Sequence, residues 1–450
     1  METSSNSSEH RLGEVIRSID RDQAESLGAL LSTVRPHEAA NLLESMPPDA
    51  RRIVWELLEE DTSHQALQHL HEDVLEEILA QMDTDSLVAA GDELGTDDFA
   101  DILRQLPDAI QEEVLDSLDA GHRQRIESVL SYPEDTAGGL MDTELIAIER
   151  RHSLELVLRY LRRRGQVPHT TDKLFVVDRA GRYVGILRVS KLLTSHSHLR
   201  VGEVFEADFP AIQAEMKDDE LARLFAREDL LSAPVVDQAG RLIGRVTVDD
   251  VVDVIIEDAE ETFMGRAGLE VDQDTFAPIL KSTRSRAIWL SINLFTAVLA
   301  SMVISLFEEA IVKVVALAVL MPIVASMGGV AGTQTMTLVI RALALEQISR
   351  ANLGWLLNRE IIVAALNGLL LALLVGIGAS LVFADALLGI VIFVAMVANL
   401  LIAATAGTLL PSLLRALKID PAIAGGVVLT TITDVGGFLV FLGLATIAYG

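Results

Sequence analysis

The chain of 450 residues contains no cysteine, so it can form neither a disulfide framework nor a thiolate metal site. Its first ten residues, METSSNSSEH, lack the basic and apolar regions of a secretory signal, and we therefore expect no signal peptide. Positive charge is scarce, since 36 basic residues face 65 acidic ones and the net charge is −29. Such acidity disfavours binding to nucleic acid or to anionic lipid, whereas it suits cations or simple solvation.

Charged and apolar residues are segregated along the chain. Residues 287–450 hold seven acidic and six basic side chains, a net of −1, which leaves −28 in residues 1–286. A helix needs roughly 20 apolar residues to cross a bilayer. Five runs are long enough, at about 287–307, 314–340, 361–383, 387–414 and 422–449. We therefore predict an acidic soluble part followed by a membrane domain with five spans.

The basic residues near these runs predict the orientation. They lie in alternate loops: Lys281, Arg284 and Arg286 before the first run, Arg341, Arg350 and Arg359 after the second, and Arg415 and Lys418 after the fourth. Short cytoplasmic loops carry an excess of Lys and Arg. The soluble part is thus predicted to be cytoplasmic, and the C-terminus to face outward.

The fifth run carries an acidic residue, Asp434, within LTTITDVGG (429–437). A carboxylate at membrane depth costs at least ~2.5 kcal/mol, and acids placed there commonly serve a function. Helical spacing puts Thr430, Asp434 and Gly437 on one face. A proton relay or an interhelical hydrogen bond are alternatives to a cation site at this position.

Further oxygen ligands precede Asp434 in the same run. Asp420 and Pro421 begin the helix, and the Gly425–Gly426 pair leaves main-chain carbonyls approachable. Carboxylate, hydroxyl and carbonyl oxygens favour Mg²⁺, Ca²⁺ or Mn²⁺ over zinc or copper. Because Mg²⁺ gives up water reluctantly, one carboxylate per chain could hold it through its hydration shell.

The second run contains PIVASMGGVAGTQ (322–334), which has a proline and three glycines. These residues weaken a helix. Two interpretations stay open: a broken backbone that lines a cavity, or a kink or small-residue seam that lets helices approach closely.

The soluble part contains an internal repeat. Residues 174–193, LFVVDRAGRYVGILRVSKLL, resemble 233–252, APVVDQAGRLIGRVTVDDVV, at an offset of 59. Each copy predicts a strand, an Asp-x-x-Gly turn, a second strand and a helix, which indicates tandem α/β modules. The repeat resembles a CBS-domain pair, a fold that commonly binds adenosine nucleotides.

The nucleotide-binding motif of CBS domains is present in one copy. Thr247-x-x-Asp250 matches the ribose-contacting motif, whereas the first copy reads RVSK there and lacks the acid. The alternative is structural: Thr247 caps a helix whose first turn carries Asp249 and Asp250. The two roles are compatible.

Residues 10–130 show helical periodicity, with prolines where new helices can begin, at Pro47, Pro48 and Pro107. Stacked short helices predict a superhelical layer. Three histidines, His64, His69 and His71, are interpreted as surface residues rather than as a metal site.

An acidic segment, DDVVDVIIEDAEETFMGRAG (249–268), joins the repeat to the first apolar run. Like charges this close on one helix repel each other. The segment is either a solvated face or a surface on which divalent cations neutralise the repulsion.

Taken together, the order of these parts resembles the MgtE family of magnesium channels and transporters. The motifs that carry the resemblance are YPEDTAGGLM (132–141), PIVASMGGVAGTQ, KIDPAIAGG (418–426) and TTITDVGG (430–437). The resemblance implies a multidomain protein with an all-α superhelical N-domain, an α/β CBS pair and an α-helical transmembrane domain. The implied boundaries are 1–131 for the N-domain, 132–256 for the CBS pair (copies 132–195 and 196–256), 257–286 for the acidic connecting helix and linker, and 287–450 for the pore domain.

The resemblance also implies function and partners. It implies a homodimer in the cell (inner) membrane with a Mg²⁺ pore on the dimer axis, closed when cytosolic Mg²⁺ binds the CBS pair and the connecting helix. The implied pore residues are Asp434, Asp420, Gly426 and Thr430, and the implied regulatory residues are Asp250, Asp253, Asp258, Glu261 and Asp219. It further implies ATP binding at the CBS pair through Thr247 and Asp250.

The chain departs from the family at two positions. Val330 stands where the family usually has Asn, and Val427 where it often has Pro. An ion-coupled carrier and a non-transporting membrane sensor are the alternative functions. We expect no enzyme, because the sequence shows no nucleophile–base pair, Walker-type loop or closed zinc set.

Overall fold

The computed structural model describes residues 12–17, 19, 24–168, 170–269, 274–345, 347–349 and 351–450. The predictions made for METSSNSSEH and for Arg350 lie outside these residues. The chain forms two compact units, one of residues 1–259 and 272–278 and one of residues 260–271 and 279–450.

The first unit begins with short stacked helices. They span Ala24–Leu31, Pro36–Glu44, Pro48–Leu57, Glu60–Ala66, Glu72–Leu79, Thr84–Glu93, Thr96–Arg104, Asp108–Ser117 and Ala120–Leu130, with a 3₁₀ turn at Leu67–His69. Pro48 is the first residue of its helix, and Pro47 and Pro107 cap theirs, which confirms the predicted helix starts. His69 and His71 are exposed as predicted. The prediction is wrong for His64, which is buried with Nδ1 3.4 Å from Glu93 Oε1.

Two three-stranded sheets follow, in the orders β1-β2-β3 and β4-β5-β6. The strands are β1 Ala147–Glu149, β2 Lys173–Val177, β3 Tyr183–Arg188, β4 Ile212–Gln213, β5 Ser232–Val236 and β6 Leu242–Thr247. The helices among them are Leu154–Arg164, Val189–Thr194, Val201–Val204 and Asp218–Glu228. In each sheet the first pair of strands is parallel and the second antiparallel.

The two sheets confirm the repeat at an offset of 59. Lys173 pairs with Arg188 in the first sheet, as Ser232 pairs with Thr247 in the second. The Asp-x-x-Gly turns also match: Asp178 accepts a hydrogen bond from Arg182 N at 2.9 Å, and Asp237 accepts the equivalent bond at 2.8 Å. The turn glycines have φ of 76° and 75°, a conformation that glycine adopts without a steric penalty. Lys173 Nζ donates to the main-chain oxygen of Ser232 at 2.7 Å, so equivalent positions of the two copies meet.

The apolar cores show which parts pack together. One core runs from the N-domain helices through Met141, in the segment before β1, into the second repeat copy, where it includes Val235 and Val251. The first copy has a core of its own around Leu174 and Leu187. The N-domain and the second copy therefore share an interior within this unit.

The connecting helix, Val248–Arg266, begins in the first unit and ends in the second. Among its described residues, the second unit has five helices long and apolar enough to span a membrane, which confirms the predicted number. They are span 1 (Ile279–Ser305), span 2 (Ala316–Ala344), span 3 (Leu353–Val382), span 4 (Ala386–Ala416) and span 5 (Pro421–Tyr449), with a short helix at Glu308–Lys313. Span 4 is the most buried of the five and span 1 the least.

Span 2 is one continuous helix despite Pro322. Its glycines are packing positions: a Cβ on Gly328 would lie 2.3 Å from Asn399 Nδ2, and one on Gly332 would lie 3.1 Å from Leu429 Cδ1. The structure therefore supports the small-residue seam and not a broken backbone.

Candidate cation path and acidic cluster

Two polar regions stand out, one in each unit. The first lies on spans 2 and 5. Thr430 is exposed on the surface of the single chain, and its hydroxyl donates to the Gly426 carbonyl at 2.9 Å. Asp434 lies two turns after Gly426 and is half-buried. Gly426, Thr430 and Asp434 therefore lie on the same side of span 5. Gly437, expected on this face, is buried against Asn399 of span 4.

Span 2 also exposes polar groups. Thr333 and Gln334 are exposed on the chain surface, and Thr333 donates to the Gly329 carbonyl at 2.8 Å. Val330, at the position of the missing family Asn, is 52% exposed. An apolar side chain therefore occupies an accessible site beside these polar residues.

Asp420 begins span 5 and is exposed. Its carboxylate caps the helix by accepting the Ala422 amide at 2.6 Å, which leaves its second oxygen at the helix start. Within the same unit, the end of the connecting helix reaches this end of span 5, because a Cβ on Gly265 would lie 2.7 Å from Ile423 Cγ1.

The second region is a group of carboxylates in the first unit, which we call the acidic cluster. Its members are Asp97, Asp98, Asp101, Asp142, Asp249, Asp250 and Asp253. They come from the helix Thr96–Arg104, the segment before β1 and the start of the connecting helix. A hydrogen bond of 3.0 Å between the hydroxyls of Thr143 and Thr96 ties two of these parts together.

Burial, followed by the charges of neighbouring acids, raises the pKa values of six members of the acidic cluster: Asp97, Asp98, Asp101, Asp142, Asp250 and Asp253. Burial raises the pKa of Asp98 to about 6, and neighbouring Asp142 raises it as well. Burial likewise raises the pKa of Asp101 and of Asp250 to about 7. For Asp97, burial and then the charge of Asp98 raise the pKa well above its usual range. The cluster therefore concentrates negative charge that a cation would neutralise.

Two local interactions partly offset this repulsion. Arg245 Nη2 lies 3.0 Å from Asp142 Oδ2, in a largely buried ion pair. Asp250 accepts hydrogen bonds from the amide of Thr247 at 3.1 Å and from its hydroxyl at 2.8 Å. Thr247 directly precedes the connecting helix, so the Asp250 carboxylate in the first turn reaches back to the amide at the helix start.

The remaining predicted regulatory residues lie elsewhere. Asp258 and Glu261 are exposed farther along the connecting helix. Asp219 does not join the acidic cluster: it is exposed on the helix Asp218–Glu228 and pairs with Arg223 at 2.9 Å. Within the described ranges, no three His, Asp or Glu side chains are arranged to hold a metal ion directly.

Sequence reasoning missed Asp97, Asp98 and Asp101 of the acidic cluster. Their signal was the acidic first turn of a helix, TDDFAD, which also fits an ordinary helix start. Only the packing of this helix against the second repeat copy shows that they face other acids. Asn399, the buried amide in span 4, was also missed, although polar side chains inside a span often have a role.

The fold and these two regions define the class: a five-span membrane protein that carries a helical domain and a CBS pair. Family models match all three parts: the MgtE intracellular N domain at residues 34–135, the CBS domain at 137–197 and 201–257, and the divalent cation transporter MgtE at 321–444. The chain belongs to the MgtE family.

Named relatives agree with this assignment. The magnesium transporter MgtE of Thermus thermophilus is 32% identical over 93% of this chain and 94% of its own length. The magnesium transporter MgtE of Bacillus subtilis is 29% identical over 93% of both chains. A crystal structure of the cytosolic domain of the Mg²⁺ channel MgtE in complex with ATP matches 54% of this chain and 99% of its own, with a TM-score of 0.50 and 32% identity.

Proposed function

We propose that the chain is a Mg²⁺ channel or transporter whose ion path runs along spans 2 and 5. The observation that carries this proposal is the polar face of span 5, where Gly426, Thr430 and Asp434 follow one another at four-residue intervals. Polar side chains exposed at membrane depth face water or protein, because hydrocarbon offers them no hydrogen-bond partners. A water-filled path satisfies Thr430 and Asp434 together.

The exposure of this polar face supports a homodimer. Thr430, Thr333 and Gln334 are exposed on the single chain, so lipid would cover them unless a second copy does. Two copies would place two Asp434 carboxylates around one path. Two carboxylates balance the charge of one hydrated Mg²⁺, and Asp420 adds negative charge at the start of span 5.

We further propose that cytosolic Mg²⁺ closes the path by binding the acidic cluster and the connecting helix. Asp250, Asp253, Asp258 and Glu261 remain the proposed regulatory residues, and Asp97 and Asp98 join them. Their carboxylates fit Mg²⁺ in ligand type, and an ion held here would keep part of its water shell. Asp219 remains a weaker proposal because its carboxylate already pairs with Arg223.

Two further assignments complete the proposal. The soluble unit lies in the cytoplasm and the protein in the cell membrane, in agreement with the basic loops. ATP binds the CBS pair at Thr247 and Asp250, as supported by the ATP complex of a relative's cytosolic domain.

The test is Mg²⁺ uptake into proteoliposomes that contain the full chain, with a Mg²⁺ gradient across the membrane and no gradient of any other ion. The proposal predicts uptake that follows the Mg²⁺ gradient and the membrane potential. Uptake only with an added proton or sodium gradient would indicate the ion-coupled carrier. No uptake of Mg²⁺ by folded protein would contradict the proposal and favour a sensor without transport.

A further inference from the structure

A buried amide lies among the three central helices of the membrane unit. Asn399 of span 4 is 1% exposed, and its Nδ2 donates to the main-chain oxygen of Val324 in span 2 at 2.8 Å. Its Oδ1 is the one buried side-chain nitrogen or oxygen among the described residues that has no hydrogen-bond partner. Burying an amide in an apolar region is unfavourable unless its groups are paired. A buried amide with an unpaired oxygen is therefore expected to have a role that offsets its cost in stability.

Two glycines form the space that the amide fills. A Cβ on Gly328 of span 2 would lie 2.3 Å from Asn399 Nδ2 and 3.2 Å from Oδ1. A Cβ on Gly437 of span 5 would lie 2.7 Å and 3.1 Å from the same atoms. At both glycines the nearest atom of the amide is Nδ2, so the absence of a side chain at these positions leaves room for the amide. Asn399 explains why both positions are glycine.

Asn399 thus contacts both helices that carry the proposed ion path. Gly437 lies three residues after Asp434, less than one helical turn. Gly328 lies in the glycine-rich segment of span 2 that leads to the exposed Thr333 and Gln334. A single buried polar group can fix the register of packed helices, because a shift leaves it unpaired in an apolar environment.

We propose that Asn399 is a positioning residue that fixes spans 2 and 5 in register and so sets the location of Asp434 against the polar residues of span 2. This inference rests on the proposed function, since it concerns the same ion path. Asn399 acts through the Val324 hydrogen bond and the two glycine contacts, and it does not itself contact the ion.

The test is Asn399→Leu, which keeps the number and the branching of the side-chain heavy atoms and removes the hydrogen bond. Loss of one buried hydrogen bond changes an equilibrium by about fivefold, and we expect the ratio of Mg²⁺ to Ca²⁺ uptake to fall by about this factor. The matched control is Thr408→Val on the same span, because Thr408 is buried and donates to Ala404 of its own helix at 2.8 Å. The control should keep the native uptake ratio. A merely structural loss would lower total uptake in Asn399→Leu and leave its ratio unchanged, which would overturn the proposal.

A second readout does not depend on transport. Because the chain has no cysteine, the pair Met336→Cys and Gly425→Cys would be its only thiols. A Cβ on Gly425 would lie 2.9 Å from Met336 Sδ, so this pair reports the register of spans 2 and 5. We expect a lower cross-linking yield when Asn399→Leu is added. An unchanged yield would overturn the proposal, whereas absence of Mg²⁺ uptake by the native chain would count against the proposed function alone.

If Asn399→Leu does not fold, a double variant tests the positioning role of Asn399 instead. Gly437→Ala places a methyl group against the amide, and Asn399→Ala removes the amide, so the combination of the two should restore folded protein. The double variant still lacks the hydrogen bond to Val324, and we expect a reduced Mg²⁺ to Ca²⁺ uptake ratio from it. A native ratio in this folded double variant would overturn the proposal.

Discussion

Asp98→Asn should stabilise the protein in the absence of Mg²⁺ and weaken its response to Mg²⁺. Burial, with repulsion from Asp142, Asp249 and Asp253, raises the pKa of this carboxyl from 3.8 to about 6. Since the folded pKa is the higher one, the folded state binds more protons than the unfolded state, and stability is lost as pH rises from about 4 to above 6. Asparagine carries no charge, so the variant does not lose stability in this way as the pH rises.

The size of the effect follows from the pKa shift. A shift of about two units corresponds to about 3 kcal/mol at pH 8, and to about 1 kcal/mol at pH 4.5, where the native carboxyl is mostly protonated in the folded state. These are upper values, because a buried amide also needs hydrogen-bond partners. At roughly 2–4 °C per kcal/mol for a unit of this size, we expect a rise of several degrees in melting temperature at pH 8.

The assay is thermal unfolding of the purified full chain followed by tryptophan fluorescence. The chain has three tryptophans, so replacing Trp289 and Trp355 with Phe leaves Trp55 to report on the N-domain. Melting is measured in EDTA and in Mg²⁺, at pH 8 and at pH 4.5. Asp208→Asn, a loss of the same charge at an exposed position of the same unit, is the control.

Three results are expected together. Asp98→Asn melts higher than the native chain in EDTA at pH 8, the gain shrinks at pH 4.5, and Mg²⁺ raises its melting temperature less. An equal gain at both pH values, or a full response to Mg²⁺, would refute the view that repulsion at Asp98 is what Mg²⁺ relieves.

Two more predictions concern the same unit. Replacing Asp253, Asp258 and Glu261 together with alanine should raise the cytosolic Mg²⁺ concentration that half-closes the path by about tenfold, which is within the usual range of coupling between sites. Inhibition of the current by cytosolic Mg²⁺ is measured in membrane patches, with Asp208→Ala as the control. If the triple variant is inhibited as strongly as the control, these three residues are not regulatory. Arg51 is fully buried and forms ion pairs with two carboxylates, so Arg51→Met should destabilise the N-domain by about 3 kcal/mol. Urea unfolding followed at Trp55 measures this loss, and native stability of the variant would show that the ion pairs contribute no net stability.

Most of the architecture could be predicted from the sequence because it depends on local patterns. Apolar runs predicted five spans, and the offset of 59 predicted two equivalent sheets. Both patterns are visible in the order of residues along the chain, without knowledge of which segments pack together. The continuous helix of span 2 could not be predicted, because neighbouring helices compensate for proline and glycine in a way that composition does not show.

The candidate sites were only partly predictable. Asp434 was identified because an acid in an apolar run stands out within its own segment. Asp98 was not, since its meaning depends on Asp142 and Asp249, which are distant along the chain. His64 was misjudged for the same reason: its burial comes from packing against other helices.

The most direct test of the account compares Mg²⁺ uptake by proteoliposomes of the native chain and of Asp434→Asn at equal amounts of folded protein. Glu309→Gln, the same loss of charge at an exposed position between spans 1 and 2, is the control. If the ion passes along span 5, Asp434→Asn loses most of its uptake and the control keeps it. Equal uptake by all three proteins would show that the Asp434 carboxylate is not in the ion path.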